Sequence, residues 1–212
     1  MKIPHTDQPV VVKGAPLETA RGVMILVHGR GASAADILSI AHELNHPTLA
    51  YFAPQAAGNI WYPYPFLEPL ERNEPYLSSA LAVVDGLVGR VTAAGVPAER
   101  IFLGGFSQGG CLALEFAARN PRRYAGIFGL SGALIGSATT PRDAAGSLEG
   151  TPVFLGCSDE DFHIPKERVL HAAEVLTRLG GTVTTRLYPG MGHQVNFDEV
   201  EFIRGMVTAA LG

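Results

Sequence analysis

The sequence is poor in cysteine, in positive charge and in long apolar runs. Its two cysteines, Cys111 and Cys157, are too few for a disulfide framework, so we expect a reduced protein. The formal net charge is −4 and no basic block occurs, which argues against nucleic acid as a partner. There is no apolar leader and no run of 18 apolar residues, so we expect no membrane span and a cytoplasmic location.

The order of the apolar segments predicts the fold class. Short apolar runs predict strands at residues 23–27, 48–53, 101–106, 127–130, 153–155 and 183–188. Helical spacing predicts helices at residues 77–94, 108–119, 166–179 and 197–211. Strands that alternate with helices pair in parallel, so we expect an α/β fold with a doubly wound, mostly parallel sheet and helices on both faces. The length of 212 residues predicts one domain spanning 1–212.

Three segments fall outside this alternation. The first 20 residues are expected to add an antiparallel edge hairpin. Residues 55–75 combine aromatic side chains with several prolines, which makes the segment too aromatic for a flexible linker and too rich in proline for a helix. Residues 134–150 are small and polar, and they are expected to form a surface loop or the edge of a lid.

The chemistry centres on Ser107, in the motif G-F-S-Q-G at residues 105–109. The G-x-S-x-G pattern is common by chance, but here it lies between a predicted strand and a predicted helix. A strand-turn-helix elbow holds a serine in a strained conformation at the carboxyl edge of the sheet, and flanking glycines leave room for that turn. The alternative is a glycine-rich turn with a solvated serine. We favour Ser107 as a nucleophile.

A serine hydroxyl needs a base, and three histidines follow Ser107 in the chain. His171 falls inside a predicted helix, and His163 lies only two residues from a candidate acid. His193 follows the last predicted strand in the sequence G-M-G-H, at the same sheet edge as the serine. We therefore expect His193 to be the base.

The acid and the oxyanion donors come from other strand ends. Three carboxylates follow the predicted strand 153–155, and from the residues alone the acid is either Asp159 or Asp161. One oxyanion donor is expected to be the backbone N–H of Gln108, and the second should come from the loop H-G-R-G at residues 28–31. His28 itself reads as a packing histidine that supports this loop.

These motifs together resemble the phospholipase/carboxylesterase family of small α/β-hydrolases, which includes the acyl-protein thioesterases. The resemblance runs from residue 22 to residue 211, and G-G-F-S-Q-G-G is its most specific part. The other shared motifs are L-V-H-G-R-G at 26–31, A-P-Q at 53–55, W-Y at 61–62, L-S-G at 130–132, D-x-x-I-P at 161–165 and G-M-G-H at 190–193. The resemblance implies Ser107 as nucleophile, His193 as base, and oxyanion donors at the backbone of Arg30 and Gln108.

The acid loop departs from the family pattern. Similar proteins have a glycine, an aspartate three residues later and a proline four residues after that, whereas the interval from Gly156 to Pro165 is two residues longer. Asp159 keeps the spacing to the glycine, and Asp161 keeps the spacing to the proline. The D-x-x-I-P ending is the more characteristic half, so the resemblance favours Asp161 as the triad acid.

Residues 55–75 are expected to form the lip of the substrate pocket, with Trp61 and Tyr62 as substrate-binding residues. In the alternative interpretation both rings pack and hold the loop in place. Arg30 stands where several relatives carry leucine, which would add a positive rim and favour short or acidic acyl groups.

The sequence thus predicts a serine carboxylesterase that hydrolyses small carboxylic esters through an acyl-enzyme on Ser107, without a metal or organic cofactor. A thioesterase or lysophospholipase-type activity shares all the catalytic parts and remains the main alternative. A non-catalytic binding protein with this fold is disfavoured by the complete triad, and a lactonase is disfavoured because related lactonase folds carry cysteine at the nucleophile position. The resemblance leaves a homodimer open.

Overall fold

A seven-stranded sheet forms the centre of the computed structural model, which describes residues 4–142 and 144–212. The strands are β1 (Val10–Gly14), β2 (Gly22–Val27), β3 (Leu49–Pro54), β4 (Ile101–Phe106), β5 (Gly126–Leu130), β6 (Pro152–Ser158) and β7 (Thr182–Tyr188). Their order is β1-β3-β2-β4-β5-β6-β7, and all neighbours are parallel except β1 and β3. The predicted doubly wound, mostly parallel α/β sheet is therefore confirmed. Residues 1–3 of the predicted hairpin and Asp143 of the predicted loop lie outside the described residues.

The helices cover both faces of the sheet. They are α1 (Ala34–Ile37), α2 (Ser39–Leu44), α3 (Tyr76–Ala93), α4 (Gln108–Arg119), α5 (Lys166–Arg178) and α6 (Phe197–Leu211). The four long helices agree with the sequence prediction to within one residue at each end. The short helices α1 and α2 were not predicted, because four and six residues are too few to establish a helical period. No helix in the described part of the chain is long and apolar enough to cross a membrane.

Alternate residues of the central strands enter two separate cores. Val23, Ile25 and Val27 of β2 pack with the buried faces of α3, α4 and α5, whereas Met24 and Leu26 pack with α1, α2 and α6. Both sets are almost completely buried. This explains why β2 is a continuous apolar run: a parallel strand covered on both faces has no solvent side for polar residues.

The N-terminal strand corrects the hairpin prediction. β1 is antiparallel and lies at the sheet edge as expected, but it pairs with β3, with Val10 opposite Pro54, and not with the next strand in the chain. Both neighbour positions of β2 are already taken by β3 and β4, so the free edge of β3 is the place where β1 can pair.

The segment at residues 134–150 begins deeper in the protein than its composition predicts. Leu134 and Ile135 are buried, and Glu115 of α4 accepts a hydrogen bond from the Ile135 N–H at 3.1 Å. The same carboxylate forms an ion pair with Arg142 at 2.9 Å. This paired carboxylate fixes the start of the segment against α4.

The carboxyl ends of the parallel strands lie at one edge of the sheet, and α4 packs very closely against the sheet there. Val27 lies opposite Gly105 and Phe106 opposite Leu130 in the strand register. A Cβ atom at Gly109, in the first turn of α4, would collide with the backbone carbonyl of Val27. Only glycine allows this contact between a helix and the end of a strand.

We predict that Gly109→Ala lowers the free energy of unfolding by at least about 2 kcal/mol, because the methyl group overlaps backbone atoms that cannot move aside. Gly205→Ala is the matched control: it also lies inside a helix, but no atom lies within 4 Å of its added Cβ. The control should stabilise the protein by about 0.5–1 kcal/mol. Urea unfolding measures both values, and equal effects of the two substitutions would contradict the close packing of α4.

Candidate active site

Ser107 lies at the sharp turn between β4 and α4, as the motif predicted. Its φ of 55° and ψ of −123° place it in a region that L-residues rarely adopt. Two backbone hydrogen bonds hold it there: the Ser107 N–H donates to the Leu130 carbonyl, and the Cys111 N–H donates to the Ser107 carbonyl, each at 2.9 Å. A strained, well-anchored serine at a strand end is the geometry of a nucleophile elbow.

Three side chains from three strand ends form one hydrogen-bonded chain. The Ser107 Oγ lies 2.8 Å from His193 Nε2, and His193 Nδ1 lies 2.7 Å from Asp161 Oδ2. An ionised aspartate can only accept, so Nδ1 carries the proton and Nε2 is left to accept from the serine hydroxyl. This tautomer is the one that can remove a proton from Ser107.

Asp161 is a buried carboxylate that is kept charged by its hydrogen bonds. Burial by itself raises its pKa, but the hydrogen bond from His193 and those from the N–H groups of His163 and Ile164 lower the pKa below its usual value. The two N–H groups donate to Asp161 Oδ1 at 2.8 and 3.1 Å. Asp161 therefore keeps its negative charge beside the histidine.

Asp159, the other candidate acid, points to a different partner. Its Oδ1 accepts a hydrogen bond from the Gly190 N–H at 2.8 Å, and the neighbouring Ser158 Oγ accepts one from the Gly192 N–H at 3.0 Å. These contacts tie the strand end of β6 to the loop that carries His193. Asp159 thus fixes the backbone of that loop, whereas Asp161 reaches the imidazole ring.

A cleft of about 550 Å³ opens beside these side chains. His193 contacts two rings: Phe106 is tilted against it at a centroid distance of 4.8 Å, and His163 meets it edge-on at 4.7 Å. The residues that line the cleft are Gly29, Arg30, Ala32, Tyr62, Pro63, Pro65, Phe66, Phe106, Ser107, Gln108, Cys111, His163, Ile164 and His193. Burial raises the pKa of the Cys111 thiol to about 12, so this cysteine stays protonated in the wall of the cleft.

Comparison with known proteins identifies the family of the chain. The family model described as Phospholipase/Carboxylesterase matches residues 7–210, which is nearly the whole chain. The chain belongs to the phospholipase/carboxylesterase family. The crystal structure of a phospholipase/carboxylesterase from Dyadobacter fermentans superposes with a TM-score of 0.93 at 38% sequence identity, covering 98% of this chain and 99% of that one. The resemblance noted from the motifs is therefore confirmed.

Curated relatives carry the name acyl-protein thioesterase 1. The protein from Gibberella zeae is 42% identical over 119 residues, which are 52% of this chain and 49% of that protein. The protein from Neurospora crassa is 31% identical over 150 residues, which are 68% of this chain and 60% of that protein. The matched region thus spans about half to three fifths of these two relatives.

The two predicted oxyanion residues, Arg30 and Gln108, both line the cleft. Gln108 is the first residue of α4, where backbone N–H groups have no carbonyl partner within the helix. Its side chain is buried and bridges to the aromatic segment: Oε1 accepts from the Trp61 N–H at 2.9 Å, and Nε2 donates to the Tyr62 carbonyl at 2.8 Å. Arg30 also donates to the Tyr62 carbonyl, at 2.7 Å, and to the Tyr64 carbonyl at 3.2 Å. Arg30 and Gln108 therefore hold the lip as well as lining the cleft.

Of the two aromatic residues predicted to bind substrate, the structure places only Tyr62 in the cleft wall. Trp61 is completely buried and does not line the cleft, which corrects the expectation that its ring forms a pocket wall. Its indole N–H donates to the His28 carbonyl at 2.9 Å, and its ring packs on His28 and His5. The His28 carbonyl and the two imidazole rings hold Trp61 in the core, so only its neighbour Tyr62 lines the cleft.

His28 has the packing position that the sequence suggested. It is completely buried, and its Nε2 accepts a hydrogen bond from the Ala56 N–H at 3.1 Å while Nδ1 lies 2.8 Å from the Gly29 carbonyl. Burial lowers its pKa, so the ring is neutral and joins two loops. Sequence reasoning missed His5, whose ring packs on Trp61 and whose Nε2 lies within hydrogen-bond distance of the Trp61 carbonyl. No local sequence pattern around His5 predicts such a contact.

A buried glutamate lies behind the loop of His193. Glu199 belongs to a capping box at the start of α6, where its Oε2 accepts from the Asn196 N–H at 2.8 Å. Its Oε1 is buried without a partner among the described residues. Burial raises the pKa of Glu199 to about 7, and the nearby Asp198 adds to this increase. Glu199 was not singled out from the sequence, because its position reads as an ordinary helix start.

We predict that Glu199 makes the protein less stable as the pH rises from about 4.5 to about 7. The Glu199 carboxyl keeps its proton up to about pH 7 in the folded protein, whereas the unfolded chain releases it near pH 4.5. The free energy of unfolding therefore contains the full contribution of Glu199 below pH 4.5, and this contribution is lost as the pH rises through 7. The loss is on the order of 3 kcal/mol. Glu199→Gln should not show it, so that the variant is more stable than the wild type at pH 8.

Urea unfolding of both proteins between pH 4.5 and pH 8 measures this difference. Glu174→Gln, which changes an exposed glutamate on α5, is the control and should follow the wild type. Parallel pH curves for wild type and Glu199→Gln would contradict a neutral Glu199 in the folded protein.

Proposed function

We propose that this protein is a serine carboxylesterase that hydrolyses small carboxylic esters through an acyl-enzyme on Ser107. The observation that carries the proposal is the continuous hydrogen-bonded chain from Ser107 Oγ through His193 to the buried, ionised Asp161. Its position at the carboxyl edge of the sheet and the family membership of the chain support the same reading.

The reaction follows from the positions of these groups. Ser107 Oγ attacks the carbonyl carbon as His193 Nε2 takes its proton, and Asp161 stabilises the resulting imidazolium. The backbone N–H groups of Gln108 and Arg30 receive the negative oxygen of the tetrahedral intermediate. His193 then donates its proton to the leaving oxygen, which departs as an alcohol. A water molecule, activated by His193 in the same way, releases the acid from Ser107.

The preference for small acyl groups rests on the walls of the cleft. Tyr62, Phe66, Cys111 and Ile164 line it, and all four are buried. Arg30 holds the lip through two backbone carbonyls, and its side chain is exposed at the rim of the cleft. We infer that these fixed walls favour a short acyl group over a long one.

A thioesterase is the second candidate, because the relatives from Gibberella zeae and Neurospora crassa are named acyl-protein thioesterase 1. The same triad would serve both reactions. Oxygen esters and thioesters with identical acyl chains, from two to sixteen carbons, separate the two candidates. We expect the highest kcat/KM for short oxygen esters; long-chain thioesters as the best substrates would replace this proposal with the thioesterase reading.

We predict that Ser107→Ala lowers kcat by about 10⁴-fold or more and abolishes labelling by a fluorophosphonate probe, because the nucleophile is lost. Ser131→Ala is the matched control, since Ser131 also has a positive φ, 44°, directly after a strand, the neighbouring β5, and it is buried. Its hydroxyl takes no part in the triad, so the control should keep at least a tenth of the activity. Retention of such activity by Ser107→Ala would contradict the assignment of the nucleophile.

We predict that Asp161→Asn slows kcat by on the order of 10⁴-fold, because an amide cannot stabilise the imidazolium and favours the wrong histidine tautomer. Asp159→Asn should stay within about tenfold of the wild type, since the amide oxygen can still accept from the Gly190 N–H. Steady-state kinetics on one short ester compares them. The reverse ranking would move the acid of the triad to Asp159.

A further inference from the structure

A second cavity of about 420 Å³ adjoins the catalytic cleft, and Phe106 lines both. It lies between α2 and the first turn of α6, and we call it the α2–α6 groove. Its lining residues are His28, Gly29, Ala32, Asp36, Ile37, Ser39, Ile40, Glu43, Phe106, Val195, Asn196, Phe197 and Val200. The reaction derived above uses none of its side chains.

The groove and the catalytic cleft share three lining residues, Gly29, Ala32 and Phe106. Gly29 lies at the boundary of the two cavities: a Cβ atom at this position would lie 3.4 Å from the Phe106 ring and 3.5 Å from the Ser107 Cβ. The two cavities are therefore neighbours beside the nucleophile, and Gly29, which has no side chain, puts no bulk between them. An ester held at Ser107 is close to both cavities.

The walls of the groove suit a hydrocarbon chain. Ile37, Ile40 and Val200 form its apolar base, and Phe197 stands at its side with 73% of its surface exposed. An exposed phenyl ring beside a cavity gains by burial when an apolar ligand covers it. The charged residues among those that line it are Asp36 and Glu43, both acidic and both exposed.

We propose that the α2–α6 groove binds the leaving group of the substrate, an alcohol or thiol with an apolar alkyl chain and no anionic end. The proposal rests on the function proposed above. The Phe106 ring packs against His193, which hands its proton to the leaving atom, and Phe106 also lines the groove. The acyl chain then occupies the cleft lined by Tyr62 and Phe66, and the alkyl chain of the alcohol extends past Gly29.

Two ester series test the proposal with the wild-type protein: acetates of alcohols from methanol to hexanol, and methyl esters of acids from acetate to octanoate. In the acetate series kcat/KM should rise with each methylene of the alcohol, by up to about fourfold per buried group. The anionic ester 5-carboxypentyl acetate should be cleaved several times more slowly than hexyl acetate, because exposed carboxylates repel it weakly. An acetate series that stays flat with alcohol length overturns the proposal, and equal rates for the anionic and neutral esters overturn its charge restriction.

Two variants locate the effect in the groove. Phe197→Ala removes the exposed wall, and Ser39→Trp adds bulk from an exposed position on α2. Each should lower kcat/KM for hexyl acetate by about three- to tenfold while methyl acetate stays within twofold of the wild type. Phe162→Ala is the control, because this ring is 95% exposed but lines neither cavity. The assignment is overturned if Phe162→Ala lowers kcat/KM for hexyl acetate but not for methyl acetate. It is also overturned if both groove variants lower kcat/KM equally for the two acetates.

Failure of this inference is distinguishable from failure of the proposed function. Hydrolysis of methyl esters that depends on Ser107, together with a flat alcohol series, removes the leaving-group site and leaves the esterase intact. Absence of ester hydrolysis in the wild type, or its persistence in Ser107→Ala, removes the proposed function itself.

Discussion

The site depends on the close backbone contact between the end of β2, the end of β4 and the first turn of α4. A side chain at Gly105 or at Gly109 would collide with the carbonyl of Val27, so both positions must be glycine. The chain can then reverse direction within one residue, and that residue, Ser107, adopts a positive φ. Such backbone strain costs on the order of 1–3 kcal/mol, and the hydrogen bonds of the Ser107 backbone to its neighbours in β5 and α4 offset it.

The position of His193 depends on a second constraint, the bracing of its loop against the end of β6. Ser158 and Asp159 accept hydrogen bonds from the backbone of this loop, and Asp161 accepts one from the ring itself. The three residues lie within four positions of each other, yet each binds a different part of the loop. A buried carboxylate costs free energy unless its oxygens are satisfied, and the donors around Asp161 meet that requirement.

The aromatic lip is fixed by polar anchors, since it contains little regular secondary structure. Gln108 bonds to the backbone at both Trp61 and Tyr62, Arg30 bonds to two carbonyls of the lip, and Asn73 accepts from the Tyr64 N–H at 2.9 Å. Gln108 and Arg30 come from distant parts of the chain and also line the cleft, whereas Asn73 belongs to the lip itself. The shape of the cleft and the position of the nucleophile are therefore coupled through Gln108.

The sequence by itself determined the fold class, the long elements and the sheet edge at which the polar residues collect, because hydrophobic period and glycine-flanked strand ends are local signals. It also pointed to Ser107 and His193, each marked by flanking glycines at such an end. Only the tertiary structure decided which of Asp159 and Asp161 reaches the imidazole. Both lie in one loop, two residues apart, and the path of that loop determines which carboxylate points at His193. The same holds for the partner of β1, for the inward turn of Trp61 and for the α2–α6 groove. These features arise from contacts between segments far apart in the chain, and a local sequence pattern does not predict which distant residues will contact it.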